Sequence, residues 1–146
     1  MNGWPQVGDD VDDIMAQLSG DEDGNYPRGF AGLAVTSIAT LVTTPITAAL
    51  NAYMRIQRLC LGTAAIADLV RVTRIDVGSI ALNVGSNPVP GVCFARDAVG
   101  TMLDASVWAT PSVPPIVTVY NGTAGTVIVE GGLFGPVSLK APPGVA

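Results

Sequence analysis

Histidine is absent from the 146 residues, and only two cysteines, Cys60 and Cys93, are present. Without imidazole the chain has neither the commonest general base nor the commonest transition-metal ligand, and two thiols are too few for a four-ligand zinc site. Charge is scarce as well, at 13% of residues, and aromatics make up 5%. Five acids lie beyond the first 25 residues, namely Asp68, Asp76, Asp97, Asp104 and Glu130, and their spacing follows no motif. The expectation is a protein that is not an enzyme, with no cofactor, no metal and no small-molecule substrate. Nucleic-acid modules interleave aromatics with basic residues, whereas here only Tyr53 stands near Arg55 and Arg58, and the net charge is −5. Both features argue against nucleic acid as the partner.

A basic segment followed by an apolar run is missing from the N-terminus, where Trp4, Pro5 and a group of aspartates stand instead. Synthesis and maturation in the cytoplasm are therefore the expectation. Cys60 lies between Leu59 and Leu61, and Cys93 between Val92 and Phe94. Such settings read as buried free thiols, with a disulfide as the alternative. Residues 29–54 carry no charge apart from their flanks, long enough on paper to cross a bilayer. The five threonines, Ser37, Asn51 and Pro45 within that stretch speak against a span and for two extended segments meeting near Pro45.

What the chain does have is an asymmetry. Seven of the twelve acids, Asp9, Asp10, Asp12, Asp13, Asp21, Glu22 and Asp23, fall in the first 24 residues, which hold no Lys or Arg. From Tyr26 onward seven basic residues face five acids. Asp9 or Asp10 can cap a short helix whose Val11, Ile14, Met15 and Leu18 form an apolar stripe at i, i+3, i+4 and i+7, ended by Ser19 and Gly20. About ten residues of helix cannot hold themselves together in water, so the stripe must dock on the body or on a neighbour. Residues 1–28 thus read as an acidic arm and hinge, residues 29–139 as one body, and residues 140–146 as an extended tail able to reach a neighbour. Asp21 to Asn25 superficially matches a calcium loop, but glycine falls fourth rather than sixth and Gly32 stands where a glutamate is needed, so a solvated acidic hinge is the reading.

In the body the period is two and β-branched residues dominate. Strands are expected at 54–60, 69–77, Ser79 to Val84, Gly91 to Phe94, Pro115 to Tyr120 and Thr126 to Leu133, with a helical turn around Asp97 to Leu103. With 17 Gly and 11 Pro supplying turns, the expected fold is mainly β: a single β-sandwich or jelly-roll of about eight short strands with a short N-terminal helical arm. Asn121-Gly122-Thr123 fits both a glycosylation sequon and a hairpin dipeptide, and the turn reading is preferred. Arg55 with Arg58, and Arg71 with Arg74, form two Arg-x-x-Arg pairs on expected strands. On an unbroken strand each pair would send one guanidinium to each face. They would pair with Asp68 or Asp76, or else receive the aspartate-rich arm of an adjacent subunit through bidentate contacts.

The strand Met54-Arg55-Ile56-Gln57-Arg58-Leu59-Cys60-Leu61, the segment Ile75-Asp76-Val77-Gly78, the stretch Val89-Pro90-Gly91-Val92-Cys93-Phe94 and the late Val117-Thr118-Val119-Tyr120-Asn121 before Gly132-Leu133-Phe134-Gly135 resemble small structural proteins of bacteriophage particles. The likeness covers Tyr53 to Leu139. It implies a jelly-roll or related β-sandwich that forms or decorates a capsid as a symmetric homo-oligomer. Its partners would be its own copies and other capsid proteins, and its location the virion, assembled in the host cytoplasm. The acidic arm departs from that pattern, so shell, cement and vertex roles all stay open. On this reading Val11, Ile14, Met15 and Leu18 with Arg55, Arg58, Arg71 and Arg74 form the interface. The alternative class is a β-sandwich recognition module for a glycan or a cell-surface receptor, which would need an exposed aromatic platform, with Trp108 as the candidate.

Overall fold

Alternating apolar and polar residues in short runs, broken by Gly, Pro and Asn, bury one side of each run and leave the other to solvent, which is the pattern of half-buried strands. The computed structural model describes residues 26–62, 69–83, 85–95, 103 and 107–145. Of these residues, 51% lie in strands and 4% are helical, so the protein is mainly β, built of several antiparallel sheets. The strands are β1 (Arg28–Gly32), β2 (Thr36–Ile38), β3 (Thr43–Thr47), β4 (Tyr53–Arg55), β5 (Arg58–Leu61), β6 (Val70–Val77), β7 (Ile80–Ala81), β8 (Val89–Pro90), β9 (Trp108–Ala109), β10 (Ile116–Asn121), β11 (Val127–Val129) and β12 (Gly131–Ser138). One sheet runs β1-β12-β4-β9, with β5 also on β12; a second runs β3-β10-β6-β7, with β8 also on β6; a third joins β11 to β2.

A long antiparallel ladder ties the start of the body to its end. β1 pairs with β12 from Arg28↔Pro136 to Gly32↔Gly132, and β2 pairs with β11 from Thr36↔Val129 to Ile38↔Val127. The N–H of Val137 donates to the Pro27 carbonyl at one end, and the N–H of Leu33 donates to the Gly131 carbonyl where the two ladders meet. Ala34 then donates to the carbonyl of Thr47, which links this ladder to β3. Pro45 sits in the middle of β3 opposite Thr118. A proline is tolerated there because β3 is an edge strand and needs no donor on its open side. Ile38, Ile46, Met54, Ile56, Leu59, Val117, Val119 and Leu133 are fully buried in one cluster. Truncating any of the larger ones to Ala would cost about 2–5 kcal/mol.

The elements differ from the sequence reading in several places. Twelve strands rather than eight are present among the described residues, because bulges and bends cut long runs into pieces. The charge-poor stretch 29–54 holds β2 and β3 and parts of β1 and β4, and no described helix is long and apolar enough to cross a membrane. The expected strand Ser79–Val84 shortens to β7, which forms a hairpin with β6 across Gly78 and Ser79; Gly78 has φ +62°, as primed hairpin turns require. Gly91–Phe94 is a 3-10 helix, with Phe94 buried, rather than a strand. The strand expected at 126–133 divides at Glu130 and continues to Ser138. Asn121-Gly122 begins a connection between β10 and β11, which do not pair with each other, and Gly122 does not adopt positive φ, so no hairpin forms there.

The tail is not extended. The Ser138 hydroxyl donates to the Lys140 carbonyl, Pro142 is buried, and the N–H of Val145 donates to the Pro142 carbonyl, so residues 142–145 form a turn. The hinge ends earlier than residue 28, since Pro27 already bonds to β12 and Arg28 opens β1. Cys93 is exposed and Cys60 half-buried, so neither is the buried thiol its apolar neighbours suggested. The expected arm helix, the acidic segment Asp21 to Asn25 and most of the turn expected at 97–103 lie outside the described residues, as do Asp68, Asp97 and Asp104.

Candidate functional site

The two arginine pairs do not divide between faces. Opposite β12, Met54 faces Val137 and Arg58 faces Phe134, so three residues, 55–57, stand against two, 135–136. That is a β-bulge, and it shifts the side-chain alternation by one residue. Met54 and Ile56 are buried before it, Leu59 and Leu61 after it, and Arg55 and Arg58 both fall on the other side. The ladder resumes through the N–H of Gln57, which donates to the Phe134 carbonyl at 2.9 Å. Gly135 lies against the bulge, where any Cβ would overlap the Arg55 carbonyl oxygen.

β6 repeats the device. Thr118 faces Arg74 and Val119 faces Val72, which leaves Thr73 as the extra residue. Val70, Val72, Ile75 and Val77 are buried, while Arg71 and Arg74 are both exposed. Burying a guanidinium without a carboxylate is costly, and the bulge leaves Arg71 and Arg74 exposed in β6 and Arg55 and Arg58 no more than half-buried in β4 and β5. The pairs nevertheless sit in different sheets, so the structure does not bring all four arginines together.

Arg74 Nε donates to Asp76 Oδ1 at 2.7 Å, the intramolecular pairing that was one of the two expected uses of these residues. With Arg74 well exposed, such a pair contributes little to stability. Arg55 is half-buried, and its Nε lacks a hydrogen-bond partner. The other four interface candidates, Val11, Ile14, Met15 and Leu18, lie outside the described residues.

Two residues that the sequence reading passed over stand on the outer face of the first sheet. In β1 the sequence Arg28-Gly29-Phe30-Ala31-Gly32 alternates: Arg28 and Phe30 point out, while the small Gly29 and Ala31 are half-buried. Phe30 is 80% exposed and lies beside its register partner Phe134, with ring centroids 6.4 Å apart. Arg28 Nη1 donates to Gln57 Oε1 at 2.7 Å. The period-two placement of one large ring between two small residues was the available signal.

β1 is also an open edge. Because Pro27 and Leu33 bond toward β12 and its β11 extension, the antiparallel alternation turns the main-chain N–H and C=O of Arg28, Phe30 and Gly32 away from β12. Among the described residues none of these groups has a backbone partner. A cleft of about 480 Å³ is lined by Arg28 to Gly32 of β1, by Met54 and Val137, and by Ala49 to Ala52.

Other candidates carry less. Trp108 is half-buried, and Tyr26 packs against it edge to face at 4.9 Å and 66°, so it is not an open platform. Asn121 is fully buried with its amide nitrogen donating to the Ile38 and Gly125 carbonyls, which leaves nothing for a sugar to join. Among the described residues no three Cys, Asp or Glu side chains gather as metal ligands. No protein-family model, curated protein or solved structure matches this chain.

Proposed function

We propose that this chain is a non-enzymatic virion structural protein, a β-sandwich or jelly-roll that forms or decorates a bacteriophage capsid by symmetric self-association, with an N-terminal arm exchanged between subunits. Its partners are its own copies and other capsid proteins, and it needs no cofactor. The observation that carries this reading is the coincidence, on one strand, of an open sheet edge with a face bearing Phe30, Phe134 and Arg28. Exposed edges invite pairing with another chain, and proteins that stay monomeric blunt them. β1 carries a single charge and no proline. A covered edge is therefore the state in which such a strand is stable against aggregation. Among the described residues the two acids are Asp76, held by Arg74, and Glu130, exposed where β11 meets β12.

Light scattering on the purified full-length protein at low and high salt, with electron microscopy of the same samples, tests this. A discrete oligomer or closed particle whose mass falls when residues 1–24 are removed is the expected result. A protein that stays at 14.9 kDa under every condition overturns self-association. It would favour a recognition module for a glycan or receptor instead.

A further inference from the structure

We propose that the cleft along the open edge of β1 receives residues 12–18 from the N-terminal segment of a second copy, added as a β-strand beside β1. This rests on the self-association reading and names the surface and the occupant that it requires.

The geometry asks for a strand rather than for a helix or a flat patch. The outward N–H and C=O groups of Arg28, Phe30 and Gly32 form a row that an added strand satisfies with main-chain hydrogen bonds. The lining there includes Gly29 and Ala31, which are small, and Met54 and Val137, which are apolar. An occupant must therefore present alternate apolar side chains inward. It must also tolerate Arg28, the charged residue of the lining, with no carboxylate in the cleft to balance it.

Residues 12–18 meet both demands. Read with a period of two, Asp12, Ile14, Ala16 and Leu18 fall on one side, apolar except for the acid at its end, and Asp13, Met15 and Gln17 on the other. The same residues fit a helical stripe, but a helix this short is marginal in water, so an open edge can draw the segment into a strand. Acids flank the apolar run at both ends, Asp9 to Asp13 before it and Asp21 to Asp23 after it. Either direction of the added strand thus brings carboxylates to Arg28. The connection from Leu18 to Tyr26 has seven intervening residues, which at ~3.4 Å each reach roughly 24 Å, enough to cross to a neighbour's edge.

The test uses full-length variants and their mass in solution. In F30P the N–H that points out of the edge is removed, while no bond to β12 is lost; F30A removes the ring but keeps the N–H. A49E narrows the cleft and places a like charge against the acidic segment. I14D/L18D spoils the donor and leaves the cleft intact. The expected result is an oligomer for the unaltered protein and for F30A, and a mass of 14.9 kDa for F30P, A49E and I14D/L18D. Mixing F30P with I14D/L18D should restore a one-to-one complex, because one supplies a donor and the other an intact edge. If F30P misfolds by circular dichroism, A49E takes its place in the mixture. Persistence of the oligomer in I14D/L18D, equal behaviour of F30P and F30A, or a mixture that stays at monomer mass overturns the docking. If every variant assembles like the unaltered protein, the docking falls and self-association stands; if the unaltered protein is itself a monomer, both fall.

Discussion

Three segments meet on a single amide. Asn121 Nδ2 donates to the carbonyls of Ile38 and Gly125, and its Oδ1 accepts from both the N–H and the hydroxyl of Thr123. The end of β2, the end of β10 and the turn toward β11 are thereby fixed to one side chain that is fully buried. In Asn121→Ala the Ile38 carbonyl and the Thr123 N–H lose their partners, while Gly125 keeps the Thr123 hydroxyl. A loss of about 2–3 kcal/mol follows, read as a lower urea midpoint with unchanged slope. Arg55 is the opposite case, a half-buried guanidinium whose Nε bonds to nothing. Arg55→Met keeps the packing stem and removes that donor, so stability should hold or rise by up to ~1 kcal/mol in the same titration; a clear fall would show that the charge has a partner. Neither role was legible in the sequence. The Asn-Gly dipeptide pointed to a hairpin turn where a longer connection begins instead, and nothing in it tells an asparagine at a hairpin tip from one that ties three segments together from within.

Strand runs were legible as elements, and their phase was not. The alternation across 54–60 and 69–77 identified β4, β5 and β6, yet it carried one register through each run where the structure has a slip at 55–57 and at Thr73. The slip could be inferred only by asking what an unbroken strand would do with Arg-x-x-Arg, since it would bury one guanidinium of each pair. Removing the extra residue puts this to the test. Deleting Thr73 removes the extra residue and leaves Val70, Val72, Ile75 and Val77 in unbroken alternation on the core side, with Arg71 and Arg74 together on the other. We expect a folded protein that loses no more than about 1–3 kcal/mol in thermal unfolding, and loss of the fold would show that the register slip is not what keeps both arginines outside; Thr73→Ala, which keeps the bulge and loses only the hydroxyl contact to the Thr118 carbonyl, should cost about 1 kcal/mol or less. Gly91–Phe94 failed for another reason. An apolar run of four has no period to read, and the immediately preceding Pro90 suits a tight helical turn as well as a strand.

For the molecule as a whole, composition was sufficient to give a mainly β protein, but sheet partners were out of reach because they join residues about a hundred positions apart. The candidate site suffered the same way: Phe30 and Phe134 become neighbours only when the first and last strands pair. Pairing between the first and last strands of the described body begins at Pro27. Removing residues 1–24 should therefore leave the far-UV circular dichroism of the strands unchanged and move Tm by less than about 4 °C, while altering the mass in solution. A large fall in Tm would make the segment part of the fold instead. The ladder that joins 27–38 to 127–137 also dictates when this protein can fold during its own synthesis. β1 leaves the ribosome first, and its pairing partner follows roughly a hundred residues later. At about 5–20 residues per second this interval is on the order of 5–20 s. During that interval the nascent chain carries an unpaired strand with a bare Phe30, open to association with other chains until the last strand arrives.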